Sequence, residues 1–77
     1  MTTRATQDAA RYRERMTHYA AMAAERYERC RVAASHGDSH TQRANLTAAD
    51  NLTRKAEAMA AALIRSEIDA MAEVLGR

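Results

Sequence analysis

Residues 56–75 read AEAMAAALIRSEIDAMAEVL, and this stretch decides the fold. It has no glycine or proline and is dense in Ala, Leu, Met, Glu and Arg, the strongest helix formers. It also holds most of the chain's large aliphatic residues. Extended back to Leu52 and placed at about 100° per residue, it carries two apolar rows. One runs Leu52, Ala56, Met59, Leu63, Ser66, Ala70. The other runs Ala60, Ile64, Ile68, Met71, Leu75. A helix packed on a single neighbour needs one such row, so the second asks for an occupant.

Upstream, a helix is expected from about residue 6 to residue 35, with Met1 to Ala5 frayed and Thr6 as its N-cap. Its apolar row is Ala9, Tyr12, Met16, Tyr19, Ala23, Tyr27, Cys30, Ala34, spaced by threes and fours. Glu25 and Arg29 form a supporting i,i+4 pair. Ser35-His36-Gly37-Asp38-Ser39 is the break, with Gly37 suited to the left-handed residue after a helix. Two cap signals follow, at Ser39 and at Thr47. Residues 39–46 contain only Ala44 and Leu46 as apolar positions and read as a polar loop. The main second helix is then expected over about 48–75; the rival is one helix from His40 onward.

The 77 residues form at most one domain, 1–77. Few β-branched residues are present and none alternate, so the class is all-α. Two helices of similar length joined by a short connection predict an antiparallel two-helix hairpin. If Ser35 faces Thr47, Tyr12 meets Ala70, Met16 meets Ser66, Ala23 meets Met59 and Cys30 meets Leu52, with large facing small at most levels. The row Ala60, Ile64, Ile68, Met71, Leu75 then faces outward. Soluble monomers avoid such patches, so the expected resolution is a homodimer assembled as a four-helix bundle. A different protein docking on the row is the alternative. Glu67 falls between the two rows, either as a rim residue or paired with an arginine across the dimer to fix register.

A chain this small gains little from one core and needs a supplement. A single cysteine excludes an internal disulfide and fits a reducing cytoplasm. The longest uncharged apolar run, Ala58 to Ile64, is far below the ~20 residues of a membrane span. The N-terminal stretch lacks the apolar core of a secretory signal. The formal charge is only +2, but residues 1–37 carry seven Arg against four acids. Arg11, Arg15, His18, Arg26 and Arg29 lie within about 80° of one another on the first helix. They are candidates for nucleic-acid phosphates or an acidic partner, or form a solvated face whose stems cover the seam. His36, Asp38 and His40 are candidate metal ligands by type, although their spacing matches no established pattern. Tyr12, Tyr19, Tyr27 and Cys30 read as core. No paired carboxylates, poised nucleophile or phosphate-cradling loop is present, so no enzyme activity and no cofactor are expected. The expected function is a small non-catalytic interaction or regulatory module that self-associates, with nucleic-acid binding and metal dependence as alternatives.

Overall fold

The computed structural model describes residues 3–76, and within them the chain is two helices. Helix α1 spans Arg4–Ser35 and α2 spans Ser39–Leu75. They form an antiparallel hairpin, a rod of 61 × 16 × 12 Å.

Both helices begin earlier than the apolar pattern implies. Thr3, not Thr6, caps α1: its Oγ1 accepts the Thr6 backbone N–H at 3.2 Å. Arg4 and Ala5 are therefore helical, while Met1 and Thr2 lie outside the described residues. Asp38 caps α2, its Oδ1 accepting the Thr41 N–H at 3.1 Å. The expected start near Ala48 is therefore corrected. Residues 39–46 are helix, and Thr47 lies exposed in the interior of α2. An α-helix needs caps and unbroken backbone hydrogen bonding; it does not need apolar residues in every turn.

Only His36, Gly37 and Asp38 separate the helices. The Gly37 N–H bonds to the Ala34 carbonyl at 3.1 Å and the Asp38 N–H to the Ala33 carbonyl at 2.9 Å. This is the Schellman closure of a helix C-terminus, which needs a left-handed residue at the position Gly37 occupies with φ 71°.

The short turn corrects the register. The inward residues of α1 are Ala5, Ala9, Tyr12, Met16, Tyr19, Ala23, Arg26, Cys30 and Ala33. Those of α2 include Gln42, Asn45, Ala49, Leu52, Ala56, Met59, Leu63, Ser66 and Ala70. Both series alternate steps of three and four without a slip. That is the seven-residue repeat of a coiled coil, which keeps one seam facing the partner by supercoiling. Counted outward from the turn, Ala23 levels with Leu52, Met16 with Met59, Tyr12 with Leu63 and Ala9 with Ser66. This is one heptad away from the pairing expected with a longer loop. Cross-helix bonds from Arg26 to Asn45 and from Tyr27 to Asp50 support this register.

The α1 row also needs correcting at its turn-proximal end. Arg26 and Ala33 take the inward positions assigned to Tyr27 and Ala34, which are exposed. The buried apolar residues are Ala9, Ala23, Ala33, Ala49 and Leu63. Tyr12, Met16 and Tyr19 are half-buried, and among the described residues no large side chain is completely enclosed. Alanine lets the helices approach closely, but each such level removes little apolar surface from water. A compact monomer of this mass exposes roughly 4,700 Å², whereas the hairpin exposes 5854 Å².

Candidate interaction surfaces

The exposed apolar residues concentrate on α2 at the end opposite the turn. Ile64, Ile68, Met71, Val74 and Leu75 are 58%, 60%, 63%, 73% and 80% exposed. Ala60 is half-buried at the edge of the same face. Thr6 of α1 joins Ala70, Met71, Val74 and Leu75 around a shallow apolar depression there. The outward row expected of residues 56–75 is thus present on the hairpin surface. Other large apolar residues above one-third exposed, Met22, Tyr27, Val32 and Leu46, are scattered along the rod.

Glu67 lies at the rim of this face, and its carboxylate is engaged within the chain. Its Oε1 accepts from Arg13 Nη2 at 2.8 Å, bridging α2 to α1. Both side chains are about half exposed, so the pair contributes at most about 1 kcal/mol. Its local effect is to match a carboxylate beside an apolar surface with a cation.

The arginine stripe is divided between tasks. Arg26 leaves it for the seam, where its Nη1 donates to Asn45 Oδ1 at 3.2 Å. Asn45 is buried, and its amide nitrogen donates to the Thr41 carbonyl at 3.0 Å. This makes a satisfied polar layer inside the coiled coil. Arg29 pairs with Glu25 at 2.7 Å, one turn away. Arg31 grips Glu28 with two nitrogens, at 3.0 and 2.6 Å. These hydrogen bonds, and then the nearby positive charge, hold the Glu28 carboxyl below its ordinary range. Arg11, Arg15 and His18 are exposed and border a shallow depression with Glu14 and Thr17. On the coiled-coil repeat, Arg11 and Arg15 flank one side of the seam, while Arg13 and the apolar face of α2 flank the other. The two candidate surfaces therefore point to opposite sides of the rod.

His36, Asp38 and His40 surround the turn. Among the described residues no group of three His, Cys, Asp or Glu side chains gathers as a metal site would require. Asp38 has a different task there. Hydrogen bonding from the Thr41 side chain, then from its backbone N–H, keeps the Asp38 carboxyl ionised to lower pH, with smaller help from His40 and His36. Cys30 is a free, half-buried thiol on the seam, at the level of Asn45. Tyr27, expected in the core, lies on the flank, and its hydroxyl donates to Asp50 Oδ1 at 2.9 Å.

Two structural features were not anticipated from the sequence, the Arg26–Asn45 layer and the Arg13–Glu67 bridge. The steps of three and four through Arg26 and Asn45 were a readable signal for the first. Among the described residues no helix is long and apolar enough to cross a membrane. Comparison with family models, curated proteins and solved structures finds no match to this chain.

Proposed function

We propose that the chain is a small, non-catalytic helical interaction module of the cytoplasm that acts by self-association and protein–protein contact. One observation carries this reading: five large apolar side chains stand together, more than half exposed, on one side of α2. Soluble monomers do not usually leave such a face in water. The thin alanine core gives a second reason for association, since a chain this small gains little stability alone.

Nucleic-acid binding has less support. Arg26 and Arg29, two of the five groups in the stripe, are engaged inside the chain. Those two bonds leave Arg11, Arg15 and His18 as the candidate phosphate contacts.

Light scattering at tens of micromolar protein tests the reading. The expected mass is that of a dimer or higher assembly. Ile68→Glu is expected to return it to a monomer with unchanged helical circular dichroism, because Ile68 is exposed within the hairpin. A monomeric unmodified chain would sink the self-association reading and leave the face to a different protein. An electrophoretic shift with short duplexes at 50 mM salt, lost in Arg11→Ala and Arg15→Ala, would move the assignment to nucleic acid.

A further inference from the structure

We infer that the apolar face of α2 is covered by a second copy of the chain, with the two α2 helices antiparallel about a two-fold axis beside Ile68. This rests on the self-association reading and adds the identity and direction of the partner.

The first reason is spacing. Ala61, Ile64, Ile68, Met71 and Leu75 follow steps of three, four, three and four. They therefore form a second heptad seam on the same helix, so that α2 is built to sit between two helices. Toward the turn the same row becomes Asp50, Arg54 and Glu57. The apolar seam is thus two heptads long and begins at Ala61.

The second reason is self-complementarity, which a two-fold interface demands. An antiparallel pairing about Ile68 sets Ala61 against Leu75 and Ile64 against Met71, small against large at the ends and medium against medium inside. A parallel pairing sets every residue against itself. Leu75 then meets Leu75, Ala61 meets Ala61, and Asp50, Arg54 and Glu57 each face their own charge. Like charges on facing coiled-coil positions oppose association. In the antiparallel arrangement these charged levels lie outside the overlap. Glu67 comes close to its copy near the axis, but each carboxylate is already matched by Arg13 at 2.8 Å.

The third reason is area. The hairpin exposes 5854 Å², roughly 1,150 Å² more than a compact monomer of its mass. A standard interface removes about 800 Å² from each partner, which this excess can supply.

Because Ile68 lies far from the middle of α2, the two rods overlap only at their turn-distal ends. Ile68 is about 16 Å along the helix from Glu57, near the centre of α2, so the rods are offset by about 33 Å. Four helices pack together in the overlap and two continue beyond it on either side. The dimer is then roughly 95 Å long, rather than a full-length four-helix bundle near the 61 Å of one hairpin.

The test uses a nitroxide on Ala58→Cys in a Cys30→Ser background, with Arg54→Cys as a second site. Both positions are exposed on α2, which keeps the hairpin fold independent of the label. The antiparallel arrangement places the two labels of a dimer about 30 Å apart at residue 58 and about 42 Å apart at residue 54. Distances near 10 Å at both sites would mean a parallel pair. That result, or any pair of distances that does not lengthen by about 12 Å from 58 to 54, would overturn the arrangement while leaving self-association standing. A monomer in light scattering would overturn both.

Discussion

Arg26 and Asn45 form a hydrogen-bonded polar layer of the seam, and their bond exists only in the observed register. A slip of one heptad would put Arg26 level with Ala56 and leave Asn45 without the guanidinium. Polar residues at coiled-coil core positions specify alignment at some cost in stability. Arg26→Ala is therefore expected to lower unfolding stability by about 1–3 kcal/mol, because the Asn45 carbonyl loses its charged donor; urea denaturation measures it. Asn45→Leu is expected to leave the melting temperature unchanged or higher while relaxing the register. A second set of amide resonances would report the slipped hairpin, and a single native set would show that the layer is not needed for alignment. At the turn, Gly37→Ala puts a Cβ on a residue at φ 71°, and a loss of about 1 kcal/mol is expected. Asp38 supplies a pH dependence with a definite sign. Its folded-state carboxyl is held below its ordinary value. Its stabilising effect is thus complete above the unfolded pKa near 4 and is lost as pH falls through the lowered folded value. Melting temperature should fall on that acid limb in the native chain, and Asp38→Asn should flatten the fall.

The elements were legible in the sequence to different depths. Two helices, the break at residues 35–39 and the role of Gly37 follow from composition, apolar spacing and cap chemistry. The first two turns of α2 did not, because their inward positions are Gln42 and Asn45, which an apolar row cannot register. The same blindness moved the α1 row from Arg26 to Tyr27: a charged residue held the seam position, and the row was continued on the next apolar one. Those nine extra helical residues, Ser39 to Thr47, shorten the turn and shift the pairing by one heptad. Size matching could not detect the shift, since a heptad slip returns seam to seam. The Arg13 partner of Glu67 is not legible from pairing levels, because Glu67 levels with Asp8 and Arg13 reaches it diagonally from the level of Ala62. Glu67→Leu removes an exposed ion pair, so hairpin stability should change by less than about 1 kcal/mol. It also widens the apolar face, and self-association should be kept or tightened. Several-fold weaker association in equilibrium sedimentation would instead give the carboxylate an aligning role between chains.

For the whole molecule, slenderness governs the energetics. Two helices with an alanine-rich seam cannot enclose a large side chain, so each level of the rod adds a small increment and the surface stays large for the mass. The face on α2 is the feature of the shape that offers a remedy, and it is confined to the half of the helix where the row turns apolar. Small-angle scattering follows directly from this placement. A maximum dimension near 95 Å is expected for the end-overlapped pair, against the 61 Å of the single hairpin. A dimer of the shorter length would mean full side-by-side packing.

The three-residue turn has a kinetic consequence. Contacts beside it close a very small loop, whereas those between residues near 9 and 66 close one of more than fifty residues, and the entropic cost of closure grows with length. Such a hairpin zips from the turn outward and frays from its opposite end first. That opposite end is where Ile64, Ile68, Met71 and Leu75 stand. Association there would clamp the segment that opens most readily and leave the turn untouched. Amide exchange over residues 60–72 should therefore slow as protein concentration rises, while exchange near Ala33 and Asn45 stays constant. In a chain built this way, the partner acts as the second clasp of the zipper.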